Sequence, residues 1–227
     1  GVRVPAHPVA LALLSTARLP VAAPSANLFG RPSPTRAEHV LHDLDGRIDA
    51  VVDGGPTLLG VESTIVDLSC VPPRLLRPGG VPAEDIEDVL GTPLELASPN
   101  AQGPQAAPGL LPVHYSPRTP LVLIAGQPDR AQPRLVDAVR AALANGQRVG
   151  VLALDEDRGL LPTAARVEVL GAWTAPRRSA ARLFEAMRAL DAANLDILFV
   201  RDLADGSVGL GRALADRLRR AARCVVD

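Results

Sequence analysis

Residues 91–120 hold seven prolines: Pro93, Pro99, Pro104, Pro108, Pro112, Pro117 and Pro120. Proline locks φ and offers no amide hydrogen, so neither a helix nor the interior of a sheet runs through such a segment. The stretch is also too long for an ordinary connection between elements, which points to a disordered or functional linker. The expected organisation is therefore a unit over residues 1–91, a linker over 92–119 and a second unit over 120–227.

The two units differ in pattern. Before the linker the elements are short and mixed. Residues 2–4, 21–23, 48–52, 62–68 and 74–77 read as strands, and residues 9–18, 35–44 and 82–90 as helices. Pro8 suits the first turn of a helix, and Thr35 with Glu38 has the spacing of a capping box. After the linker, residues 121–125, 149–154, 167–170 and 197–200 read as strands that are apolar throughout except at Glu168. They alternate with helices over 133–144, 176–193 and 208–222. Apolar strands alternating with helices predict a parallel sheet covered on both faces, a small doubly wound α/β unit.

Composition narrows the function. All 24 basic side chains are arginine and none is lysine, against 25 acids. The net charge of −1 argues against a protein held to nucleic acid by bulk electrostatics. Residues 1–119 carry eight arginines against twelve acids, and residues 120–227 carry sixteen against thirteen. Cys70 and Cys224 form neither a disulfide framework nor a metal-ligand pattern. No apolar run approaches the roughly 20 residues of a membrane span and no signal peptide is visible, so the expected setting is cytoplasmic, with no membrane partner. Gly1 opens an apparent strand, so the first domain is expected to begin upstream of it.

Four segments of the first unit are polar, rich in small residues and bounded by proline. They contain Arg3, the run Ala23 to Asn27 with Ser25, the run Ser33 to Thr35, and Gly60-Val61-Glu62-Ser63-Thr64. Arg77 adds a guanidinium. Hydroxyls, free helix amides and arginines together suit a phosphate- or carboxylate-bearing ligand. Each piece alone has a simpler explanation: a helix cap at Thr35, turn residues at Ser25 and Asn27, β-propensity at Ser63 and Thr64, and a surface charge at Arg77. His39 and His42 lack the partners of a zinc set. No Gly-x-Ser-x-Gly, Walker A or complete dinucleotide fingerprint occurs, the segment Gly209-Leu210-Gly211 lacking the third glycine. Arg217, Arg219, Arg220 and Arg223 read as charges complementing the end of the last helix.

Taken in order, the segments resemble the Sua5/YrdC family. The resemblance is carried by Val-Arg-Val-Pro-Ala-His-Pro from Val2, Ala-Pro-Ser-Ala-Asn-Leu-Phe-Gly-Arg-Pro-Ser-Pro-Thr from Ala23, Gly-Val-Glu-Ser-Thr-Ile-Val-Asp from Gly60 and Leu-Arg-Pro-Gly-Gly from Leu76. Ala107-Pro108-Gly109 and His114-Tyr115-Ser116-Pro117 in the linker are similar to the family's interdomain loop. The run from Met187 to Asp191, and that from Gly209 to Ala222, resemble its C-terminal domain. The resemblance implies a partial YrdC-like α/β domain followed by a Rossmann-like Sua5 domain.

It further implies a nucleotidyltransferase that joins L-threonine, bicarbonate and ATP into L-threonylcarbamoyl-adenylate for the t6A modification of tRNA. ATP would be a substrate, with Mg2+ beside it, and the product would pass to a tRNA threonylcarbamoyl-transfer complex. No protein nucleophile and no resident metal are implied. Arg3, Ser25 and Ser63 would hold threonine. Ala23, Ser33, Arg77 and Tyr115 would hold ATP, with Asn27 and Thr64 as neighbours and the linker as a lid. The family's Pro-Thr-x-Thr-x-Tyr-Gly and Lys-x-Arg segments lie upstream of the counterpart of Gly1, so this chain alone is expected to make little product. Leu111-Pro112-Val113 stand where the family usually has lysines, and Ala107 where it has serine. Two other readings stay open: a non-catalytic nucleotide- or RNA-binding module, with tRNA as a partner, and a carbamoyl-transfer domain.

Overall fold

A computed structural model describes residues 1–97 and 113–227. Ala107-Pro108-Gly109, and Pro99, Pro104, Pro108 and Pro112 of the proline-rich stretch, lie outside the described residues.

The N-terminal unit begins with α1 (Pro8–Ala17), which starts on proline and ends at Arg18 in the left-handed region. None of its residues is buried. After α2 (Ala37–Leu44) come β1 (Ile65–Asp67), β2 (Arg74–Arg77), α3 (Ala83–Leu90) and β3 (Glu95–Leu96). The three strands form one sheet in the order β1-β2-β3, antiparallel in the first pair and parallel in the second.

Several expectations fail here. Residues 2–4, 21–23 and 48–52 are not strands, because no neighbouring strand among the described residues completes a ladder for them. Val2 and Val4 are 97% and 84% exposed. The capping box is also wrong. The N-cap of α2 is Arg36, without a side-chain cap, while Thr35 donates its amide hydrogen to His39 Nδ1 at 3.1 Å. The short strand β3 falls within the segment read as linker, where it pairs with β2.

The C-terminal unit matches its pattern closely. β4 (Leu121–Ile124), β5 (Val149–Leu154), β6 (Arg166–Gly171), β7 (Ile197–Arg201) and the unanticipated β8 (Cys224–Val226) form a fully parallel sheet in the order β6-β5-β7-β4-β8. α4 (Pro128–Ala144) covers one face, and α5 (Pro176–Asp191) and α6 (Gly209–Ala221) cover the other. Side chains alternate between the faces: Leu121, Leu123, Leu152 and Leu154 meet α5 and α6, whereas Val149, Val151, Ala153 and Phe199 meet α4. Burial on both faces explains the continuous apolar runs. α4 starts five residues earlier than expected and carries Pro133 inside its first turns. None of the helices among the described residues is long and apolar enough to cross a membrane.

The units are fused along α5 and α6. Arg188 donates to Asp43 Oδ2 at 2.6 Å and to the carbonyl of Pro32 at 2.5 Å. Arg36 donates to Glu185 at 2.8 Å. Gly60 lies directly on α5 with φ +67°, where a Cβ would come within 2.2 Å of the Ala180 carbonyl oxygen. Only glycine tolerates both that backbone conformation and that approach.

Candidate functional site

The motif segments converge on Glu62, just before β1. Its carboxylate accepts from the Ser33 hydroxyl and, at 2.7 Å, from Arg217 Nε of α6. Burial by itself would raise the Glu62 carboxyl. The Arg217 charge and the two hydrogen bonds outweigh it and hold the group below the usual glutamate range. Arg217 is fully buried. It also bonds Asp216, and donates to the Pro78 carbonyl at 3.0 Å. Burial opposes its charge, but Glu62, Tyr115 and Asp216 raise its affinity for the proton.

Arg77, at the end of β2, is buried and donates from Nε and Nη2 to the Ser63 carbonyl at 3.1 and 2.9 Å. Its route is set by Gly79. A Cβ there would lie 2.4 Å from the Glu62 carbonyl oxygen and from the Thr64 nitrogen, so the chain after β2 crosses the Glu62-Ser63-Thr64 backbone without a side chain between them. Gly80 then donates to the Glu62 carbonyl at 3.0 Å.

Tyr115 completes the cluster. It is 2% exposed, packs on Phe184 at 5.5 Å between ring centroids, lies under the Arg217 guanidinium at 5.0 Å and hydrogen-bonds Arg77. Burial raises its phenol above the ordinary range, so it stays protonated. Its φ of +62° is unusual for an aromatic residue. The bonds of its neighbours fix that geometry: His114 donates its amide hydrogen to Arg220, and Ser116 donates to Gly30.

Of the expected residues, Ser33, Arg77 and Tyr115 are brought together, with Ser63 present through its carbonyl. The Ser63 side chain is exposed. Arg3 donates to the Ala23 carbonyl at 3.3 Å on the surface. Ser25 is exposed, and no hydrogen bond or ion pair among the described residues joins Arg3, Ala23 or Ser25 to the Ser33 cluster. Asn27 is a turn residue, donating to the carbonyls of Leu28 and Arg31. Thr64 donates to the Val81 carbonyl at 2.5 Å and accepts from the Val81 amide.

Two residues central to the cluster were not anticipated. Glu62 stood inside a quoted motif without a role. Arg217 was read as a helix-end charge, and that reading is corrected: it is a core ion-pair partner. The available signal was its place on the Leu210, Leu214, Leu218 face of α6, where an arginine at a core position needs an acid from elsewhere.

The cluster contains no activated nucleophile and no carboxylate free for acid-base work. Its guanidinium groups are the part suited to holding an anionic ligand in place. Glu62 is committed to Ser33 and Arg217 and is not free to ligate Mg2+. No group of three candidate ligands occurs among the described residues.

A family model described as threonylcarbamoyl-AMP synthase, C-terminal domain, matches residues 81–223. One described as telomere recombination matches residues 1–79. The chain is 43% identical to a threonylcarbamoyl-AMP synthase of Bacillus subtilis (strain 168), over 98% of this chain and 62% of that protein. It is 37% identical to one of Pyrococcus abyssi (strain GE5 / Orsay), over 97% of this chain and 63% of the relative. The crystal structure of P. abyssi Sua5 complexed with L-threonine superposes with a TM-score of 0.86 at 35% identity, covering 99% of this chain and 65% of that one. This chain thus spans somewhat under two thirds of the relatives it matches. Since the first of these family models covers well over half of its residues, the chain belongs to the threonylcarbamoyl-AMP synthase family of the Sua5 type.

Proposed function

We propose that this chain carries part of the active site of an enzyme that makes L-threonylcarbamoyl-adenylate from L-threonine, bicarbonate and ATP. The observation that carries the reading is the convergence of Ser33, Glu62, Arg77 and Tyr115, from four separate segments, on Arg217 of the C-terminal unit. In this scheme bicarbonate takes up a proton and releases water to give CO₂, and the threonine amine adds to that CO₂ and loses a proton. A carbamate oxygen then attacks the α-phosphorus, and pyrophosphate leaves. Arg3, with Ser25 and Ser63, would hold threonine. The Ala23 backbone, Ser33, Arg77 and Tyr115 would hold ATP, with Asn27 and Thr64 as neighbours. Mg2+ would arrive on the nucleotide phosphates and needs no ligand from this cluster. The product would pass, in the cytoplasm, to a complex that modifies tRNA.

The reading treats residues 1–91 as part of a larger catalytic domain. Val2, Val4, Leu13, Leu19, Val21, Phe29, Val52 and Leu58 are half to almost fully exposed, an apolar surface that suits burial against further chain. The test is threonine- and bicarbonate-dependent release of pyrophosphate from ATP. It is measured on this chain and on the product of the whole in-frame coding sequence around it. Activity is expected from the whole product and little from residues 1–227 alone. Full activity of residues 1–227 would overturn the partial-site reading, and inactivity of the whole product would overturn the enzyme assignment.

A further inference from the structure

The parallel sheet of the C-terminal unit carries a second place suited to a ligand. β4 and β7 are neighbours, yet β4 crosses through α4 to β5 while β7 crosses through α6 to β8 on the other side. α4 lies on one face and α6 on the other. The loops that leave β4 and β7 therefore part at the carboxyl ends of the strands, and open α/β sheets bind ligands at such switch points. A crevice of about 620 Å³ opens there, lined by Gly126, Asp129, Arg130, Trp173, Asp202 and Arg219 among others. Its volume suits a ligand of nucleotide size.

The chemistry of the lining is uneven. The Gly126 amide donates to Asp202 Oδ2 at 2.9 Å and ties the two loops together. Asp202 Oδ1 is buried and has no hydrogen-bond partner among the described residues, and with no exposed surface it is out of reach of a ligand in the crevice. Arg130 and Arg219 are exposed and form no ion pair among the described residues. Gln127, the N-cap of α4, provides no side-chain cap, and the helix dipole at this end also favours an anion. Trp173, the only tryptophan, lines the same crevice with the Arg201 guanidinium 5.6 Å from its ring. Asp129 and Asp205 also line the crevice and disfavour a long polyanion. A small molecule with one anionic end, a polar middle and a flat apolar end matches this layout.

We propose that the crevice binds a small ribonucleoside phosphate, with its phosphate at Arg130, Arg219 and the start of α4, its ribose beside the Gly126–Asp202 link, and its base against Trp173. This site is independent of the Ser33–Arg77 cluster. The single tryptophan makes it observable in the full chain. AMP and ADP are each titrated while Trp173 fluorescence is followed, with adenosine, pyrophosphate and a single-stranded RNA oligonucleotide as comparisons. AMP or ADP should change the signal saturably and bind more tightly than adenosine or pyrophosphate. Arg130→Ala and Arg219→Ala should each weaken binding about 10-fold or more, as loss of a charge-assisted bond implies. Both residues are exposed, and unchanged melting temperatures would establish that the variants fold. The proposal is overturned if neither nucleotide alters the Trp173 signal, if the change survives both substitutions, or if the RNA binds more tightly than ADP.

Discussion

Glu62 of the N-terminal unit accepts a 2.7 Å hydrogen bond from Nε of Arg217 in the C-terminal unit, and Arg217 is fully buried where they meet. The pair joins a motif segment to a helix 155 positions away. Removing one partner of such a pair strands the other charge, so Arg217→Ala should destabilise the chain by about 3–5 kcal/mol. Glu62→Gln keeps the shape and leaves Arg217 its bonds to Asp216 and Pro78, so a smaller loss of about 1–3 kcal/mol is expected. Urea unfolding monitored by circular dichroism measures both. If Arg217→Ala costs under about 1 kcal/mol, the pair behaves as a solvent-screened surface bridge.

The same pair sets an acid limit. The Glu62 carboxyl is held below its ordinary 4.5 in the fold, by Arg217 against the effect of burial. Its stabilisation is therefore complete above about pH 4.5 and is lost as pH falls through the lowered value. Asp43, bonded to Arg188, is likewise below its ordinary 3.8 despite burial and adds to the effect in the same direction. Unfolding free energy should be level on the alkaline side of this range and decline below it. Glu62→Gln should flatten part of the decline. An unchanged slope in the variant would show that Glu62 is not linked to folding.

What the sequence made legible follows from where each pattern finds its partner. β4, β5 and β7 were readable because both faces of each strand are buried within the same unit, so the apolar run is itself the signal, while the half-buried edge strand β6 was readable from Val167, Val169 and Leu170. Residues 2–4, 21–23 and 48–52 carry strand-like composition, but a strand also needs a neighbour to bond, and composition does not supply one. Arg77 and Ser33 were legible as chemistry through their motifs. Glu62 and Arg217 were not legible as a pair, because their meeting depends on how α6 lies against β1 and β2. That arrangement is a tertiary fact, and its one local trace, Arg217 on the apolar face of α6, does not say which acid meets it. Thr35 failed for the opposite reason: its capping spacing is present, but His39 takes its amide hydrogen.

The Gly60 contact with α5 tests how tightly the units are fused. At φ +67° an alanine would meet the Ala180 carbonyl oxygen at 2.2 Å and the Ala181 Cα at 2.6 Å, both backbone atoms that have no rotamer to change. Gly30 has a similar φ of +77°, with open space where its Cβ would lie. Gly30→Ala should therefore cost only the left-handed penalty of about 1–2 kcal/mol. Gly60→Ala should exceed it by a measurable margin and increase proteolysis between the units. Equal losses in the two variants would mean that α5 shifts freely away from Gly60.

Tyr115 is held by three kinds of contact, and substitutions separate them. Its ring packs on Phe184, its face meets the Arg217 guanidinium, and its hydroxyl bonds Arg77. Tyr115→Phe keeps the first two and should cost about 1 kcal/mol, the worth of one hydrogen bond. Tyr115→Ala empties a core position and should cost about 3–5 kcal/mol. The phenol is protonated across the neutral range because burial raises it, so the Tyr115→Phe difference should not vary between pH 6 and 9. Denaturation of both variants across that range checks it. A Tyr115→Phe loss that disappears at high pH would mean the hydroxyl is ionising and is not sealed against Arg77. A Tyr115→Ala loss no larger than that of Tyr115→Phe would mean the ring is not part of the core that joins the linker to α5 and α6.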